Sequence, residues 1–173
     1  MKRLSIFMAL TIGALAAAEP AYAQSATASA SSSATLLRPV ALSATANLAF
    51  GRIVLPSSGT GSVSIANSAD TVSASGGAVA LAGGSPSRAA FSVSGEGGQA
   101  ISVSVPATVT MTGPSSSTMV VTLSSSVASS TNLSGSLGAA GSATFYVGGS
   151  FAPTSTTTTG AYSGTFTVTV AYQ

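Results

Sequence analysis

Beyond residue 23, the only carboxylates in this 173-residue chain are Asp70 and Glu96, and neither histidine nor cysteine occurs anywhere. A pair of carboxylates is the machinery of a glycosidase, one as acid and the other as base or nucleophile. Here Glu96 stands in the glycine-rich turn Gly95-Glu96-Gly97-Gly98 and Asp70 at another turn. Those are positions for solvated charges, so the pair is not expected to form a site. Hydroxyls are plentiful, but a serine nucleophile needs a base. With no histidine, and with Lys2 as the lone lysine in the leading segment, Ser-His-Asp and Ser-Lys arrangements are excluded. Zinc sites need His or Cys, and calcium as a rule needs more than one carboxylate in one place. The residue types therefore predict a non-enzymatic protein with no catalytic residues, no cofactor and no metal.

The remaining candidates are binding residues. Arg38, Arg52 and Arg88 could form a small basic spot; the simpler reading is solvated charges on a near-neutral surface. Tyr146 and Tyr162 could stack on sugar rings, although sandwich edges hold tyrosines routinely. Asn132-Leu133-Ser134 fits a glycosylation triplet of a kind that recurs by chance in Ser-rich chains. Three arginines against two carboxylates make no basic field, so no nucleic-acid partner is expected.

The leading segment points to export. Lys2 and Arg3 precede an apolar stretch from Leu4 to Ala18, Pro20 breaks it, and Ala21-Tyr22-Ala23 places small residues where a signal peptidase reads. Residues 1–23 read as a helical signal peptide cleaved after Ala23. The apolar stretch is shorter than a membrane span, and no later segment has the unbroken apolar length for one. Removing 23 of 173 residues leaves 150, enough for one domain. Residues 24–35 are nearly all Ala, Ser and Thr and cannot offset the entropy of ordering them, so they read as a flexible leader. Ala26, Ala28 and Ala30 nevertheless alternate with the period of a strand.

Residues 36–173 alternate with period two. Leu48 and Phe50 share one phase, and Ile53 and Leu55 the other, which places a bulge or corner at Gly51-Arg52. Phe91 and Val93, the turn at residues 95–98, then Ile101, Val103 and Val105 read as the clearest hairpin. Ser92, Ser94, Ser102 and Ser104 fill its wet face. The chain closes on Phe166, Val168, Val170 and Tyr172, interleaved with Thr165, Thr167, Thr169 and Ala171. Roughly nine such strands, with turns every eight to twelve residues, predict an antiparallel sandwich or barrel. Much of the apolar content is Ala, which favours a thin sandwich.

The stretches LAFGRI (48–53), GSVSI (61–65), AAFSVSGEGGQAISVSVPATVTM (89–111), FYVGGSF (145–151) and GAYSGTFTVTVAYQ (160–173) resemble a secreted bacterial family, domain of unknown function 4402. The final stretch is also similar to the ends of chaperone–usher pilins, including spore-coat-U-like subunits. In those, an aromatic stands next to last and a glycine fourteenth from the end, as Tyr172 and Gly160 do here. This resemblance implies an immunoglobulin-like sandwich lacking one strand, with Gly160, Phe166, Val168, Val170 and Tyr172 at a strand-addition interface and Ala26, Ala28 and Ala30 on a donor strand. It further implies a periplasmic chaperone and usher as partners, self-assembly, and export to the periplasm, surface or exterior of a Gram-negative cell. The expected function is a pilin-like or fimbria-associated structural subunit. The alternative is a monomeric β-sandwich binding module, an adhesin or carbohydrate binder.

Overall fold

The computed structural model describes residues 24–173. The expected signal helix and its cleavage residues, Ala21 and Ala23, lie outside the described residues. Residues 24–34 form neither strand nor helix and are exposed, Ala26, Ala28 and Ala30 included. The folded unit is Thr35–Gln173.

That unit is all-β and antiparallel. Its strands are β1 (Ala41–Ala46), β2 (Arg52–Val54), β3 (Ser62–Ile65), β4 (Val72–Ser75), β5 (Val79–Leu81), β6 (Ala89–Glu96), β7 (Ala100–Ser104), β8 (Thr108–Thr112), β9 (Thr118–Ser125), β10 (Ser130–Asn132), β11 (Ala140–Phe151) and β12 (Thr169–Tyr172). The pattern of alternating apolar residues reveals most of them. It misses β1 and β10, whose sequences ALSATA and STN hold a single large apolar residue between them.

The twelve-residue β11 is the hub of a seven-stranded sheet. Its first two-thirds pair with β6, from Ala140 opposite Glu96 to Val147 opposite Ala89. Its far end pairs on the same edge with β3, and residues 147–150 pair on the other edge with β9. Outward from these, β1 flanks β6, β4 flanks β3 and β8 flanks β9. A second sheet has the order β10-β7-β12, and β2 and β5 form a separate ribbon. The corner expected at residues 51–52 is present. Gly51 sits at φ +75°, a left-handed conformation in which a side chain would be strained, and β2 starts immediately after it.

The core draws on both larger sheets. Phe91, Val93, Phe145 and Val147 face inward from the seven-stranded sheet, and Ile101 and Val103 from the three-stranded one. Phe91 and Phe145 stack with centroids 5.2 Å apart, and Phe166 meets Phe91 edge-on at 6.1 Å. Each large side chain buried this way contributes about 1.5–3 kcal/mol of transfer free energy.

Two expectations change here. First, β6 and β7 are not a hairpin: β6 pairs with β1 and β11, whereas β7 pairs with β10 and β12. The turn after Glu96 carries the chain from one sheet to the other, so Phe91 and Ile101 share one core from opposite sides. Alternation shows which face of a strand is buried. It does not show whether two successive buried faces belong to the same sheet. Second, the regular final strand is shorter than its pattern: only Thr169–Tyr172 joins a ladder.

Candidate functional site

The chain from Ser163 to the C-terminus crosses between the two sheets. Ser163 exchanges hydrogen bonds with Thr112 of β8 at 2.8 and 3.0 Å. Thr169 to Tyr172 then pair with β7. Between them, residues 164–168 make no backbone–backbone hydrogen bond among the described residues. Their side chains still alternate. Phe166 and Val168 pack against the core and Thr165 and Thr167 are exposed, a pattern that continues through Val170 and Tyr172.

The Gln173 N–H donates to the Ala100 carbonyl at 3.1 Å. By the alternation of an antiparallel ladder, Ala171 and Thr169 are then the residues that bond β7, and the polar backbone of Val170 and Tyr172 points away from it. The result is an edge from Gly164 to Tyr172 that is apolar on its inner face and, among the described residues, open on the side away from β7. It contains four of the five interface residues expected from the sequence, Phe166, Val168, Val170 and Tyr172. The fifth, Gly160, lies just before it at φ +143°, with the Pro114 ring filling the space a side chain would need.

An apolar groove of about 500 Å³ opens beside the start of that edge. Leu48, Phe50, Met111, Met119, Phe151 and Thr157–Tyr162 are among its lining residues. Phe50 meets Phe151 edge-on at 4.9 Å. Tyr162 is held by its hydroxyl, which donates to the Thr158 carbonyl at 2.8 Å and lies 2.9 Å from Ser117 Oγ. Alternation could not reveal this groove, because its lining comes from five separate stretches of chain.

The opposite end of the edge is tied down by Glu96. The sequence suggests a solvated residue at a hairpin tip; the structure buries it to 2% exposure. Its Oε2 accepts from the Arg38 backbone N–H at 3.2 Å and from Arg38 Nη1 at 3.1 Å, and its Oε1 accepts from the Gly138 N–H. The bond from Gly138 is the first cause that holds the carboxyl below the usual carboxylate range. Desolvation opposes it, and the bonds and charge of Arg38 act with it. The Tyr172 hydroxyl completes the clamp, accepting from the Glu96 N–H at 2.6 Å and donating to the Arg38 carbonyl at 2.8 Å. The penultimate aromatic thereby joins the last strand to the start of the domain.

Removing that hydroxyl leaves the Glu96 N–H without its partner. Tyr172→Phe is therefore expected to destabilise the fold by about 1–3 kcal/mol. A thermal melt would show it as a drop of about 2–4 °C per kcal/mol for a domain of this size. An unchanged melting temperature would show that the hydroxyl ties nothing together.

The other sequence candidates are dispersed. Asp70 accepts from the Arg88 backbone N–H at 3.0 Å and is paired with the Arg88 Nε at 3.5 Å. Arg88 and Glu96 are eight residue steps apart along one extended segment, roughly 26 Å. Glycosidase carboxyls stand about 5–9.5 Å apart, so Asp70 and Glu96 do not form such a pair. Arg38 and Arg88 likewise lie at opposite ends of β6 with their own partners, and Arg52 is exposed on β2. The Arg88 guanidinium covers one face of the Tyr146 ring at 3.7 Å. Asn132 is exposed at the end of β10, while Leu133 enters the core.

The family model described as Domain of unknown function (DUF4402) matches residues 40–172. The chain belongs to the DUF4402 family. No curated protein and no solved structure matches it. The DUF4402 match begins two residues after Arg38 and ends on Tyr172, so it spans the open edge, the groove and the acidic end of the clamp.

Proposed function

We propose that this DUF4402 protein is a non-enzymatic exported structural subunit, pilin-like or fimbria-associated, that assembles by β-strand addition on its Gly164–Tyr172 edge. The observation that carries this reading is the edge itself: alternating side chains packed on the core, with residues 164–168 making no backbone hydrogen bond among the described residues and with the backbone of Val170 and Tyr172 turned away from β7. An added strand would take up the free N–H and C=O groups and set its register by alternate side chains. Two facing sheets that share one core support an immunoglobulin-like sandwich with one strand position open. On this reading the partners are a periplasmic chaperone and usher during export, and then another copy of the chain at the cell surface. Among the described residues no helix is long and apolar enough to cross a membrane.

Residue-resolved hydrogen exchange on the purified full chain tests this. Amides 164–168 are expected to exchange fast in the monomer and to become protected in assembled material, seen as beaded strands by negative-stain microscopy. A chain that stays monomeric at high concentration, with those amides already protected, would overturn the reading in favour of a monomeric binding module.

A further inference from the structure

We propose that the apolar groove is a binding site for an uncharged amphiphile with a single aliphatic chain, such as a fatty alcohol. This ligand is a small molecule, separate from any added strand and from any second copy of the chain.

The groove collects large apolar side chains that the core leaves half-exposed. Leu48, Phe50, Ile53, Met111, Met119 and Phe151 all line it, and each is only partly buried. Apolar surface gathered in one concavity marks a ligand site, where single exposed apolar residues would not. Its volume of about 500 Å³ lies within the range of sites that take drug-sized molecules.

The lining is held in place without an occupant. Leu48 and Phe50 rest on Gly149 of β11, where a Cβ would stand 3.1 Å from the Leu48 side chain and 3.3 Å from the Phe50 ring. Phe151 holds Phe50 edge-on. The Tyr162 ring lies against the Gly113 backbone, where a Cβ would stand 2.6 Å from it. Thr157 Oγ1 accepts from the Thr154 N–H at 2.9 Å. A site fixed in advance has little ordering left to lose when a ligand enters.

The lining also sets the chemistry of the ligand. No charged residue lines the groove among the described residues. Arg52, between the lining residues Gly51 and Ile53, alternates to the other face of β2 from Ile53 and is exposed. An ion buried in the groove would therefore have no partner, at a high cost, so the ligand is neutral. Phe50 and Phe151 pair with each other and Tyr162 lies on Gly113, so the rings are already engaged. Leu48, Ile53 and the two adaptable thioethers suit a flexible aliphatic chain. Thr158 and Thr159 line the groove and are exposed, so their hydroxyls offer donors and acceptors to an alcohol head.

The methionines of the chain report on the site. Met111 and Met119 both line it, and the only others are Met1 and Met8. The full chain is labelled with carbon-13 at its methionine methyls, and the Met111 and Met119 signals are assigned with Met111→Leu and Met119→Leu. On titration with dissolved decanol, both signals are expected to shift and to saturate at one ligand per chain. Decanoate and decyltrimethylammonium, with the same chain on a charged head, are expected to bind at least about tenfold more weakly. Met119→Trp fills the groove and should weaken decanol binding by at least about tenfold, whereas Met119→Leu, close in volume, should retain it. The head-group series needs no substitution, so it decides the matter even if Met119→Trp does not fold. The absence of a saturable shift, equal binding of the charged heads, or undiminished binding by folded Met119→Trp overturns the proposal. Decanol that dissociates assembled chains as it saturates would show a second copy in the groove and would overturn it as well.

Discussion

Phe145→Ala is expected to cost about 3–5 kcal/mol. Phe145 is fully buried at the centre of β11, stacked on Phe91 and packed among residues of both larger sheets. Alanine removes the transfer free energy of the ring. It also leaves a cavity that the surroundings fill only in part, because the walls are ladder-bonded strands on one side and β7 on the other. Against a total stability of about 5–15 kcal/mol for a typical domain, such a loss takes a large share of the fold. No disulfide is available to offset it. Chemical denaturation should show a much lower midpoint with an unchanged slope. A loss below about 1 kcal/mol, the scale of an ordinary surface change, would mean that the two sheets do not share this core. Phe166→Ala, at a half-buried position, should cost less and act mainly on assembly.

Glu96 gives the second large effect, seen on acidification. The folded state holds this carboxyl below its ordinary range, chiefly through the Gly138 N–H and then through Arg38. The unfolded chain therefore takes up the proton first as pH falls. The stabilisation from Glu96 is present in full above the ordinary glutamate value of the unfolded chain and is lost as pH drops through the lower folded value. The melting temperature should hold from neutral pH to about that point and then decline. Glu96→Gln should be less stable at neutral pH, because an amide cannot replace a buried carboxylate that accepts from Arg38 and Gly138. Its stability should also change little in the acid range. The same acid decline in Glu96→Gln as in the wild type would remove Glu96 as its cause. Hydrogen exchange would locate the change, with residues around Arg38 and Tyr172 exposed first.

Much of the fold is legible residue by residue. Phe91, Val93, Ile101, Val103, Phe145 and Val147 stand in alternation, and all six face the core. The corner at Gly51 follows from a shift of phase. Phe166, Val168, Val170 and Tyr172 share a face in the structure as they do in the sequence. Glu96 is where local reading fails. Its glycine neighbours suggest an exposed tip, yet residues 58 and 42 positions away in sequence supply its hydrogen bonds and close over it. The β6–β7 connection fails for a related reason, because a turn and a change of sheet have the same local composition.

The sequence by itself determined that the protein is built from β-strands, where their buried faces lie, and that reactive side chains are nearly absent. These are properties of composition and of a two-residue period, which every short window carries. Only the tertiary structure decided which strands pair, that Glu96 is buried, that Asp70 lies at the far end of β6 from it, and that residues 164–168 have no backbone partner among the described residues. Those outcomes depend on contacts between segments distant in the chain. Hydrogen bonding between strands is made by main-chain groups that every residue carries, so side-chain identity alone does not specify which edges remain open.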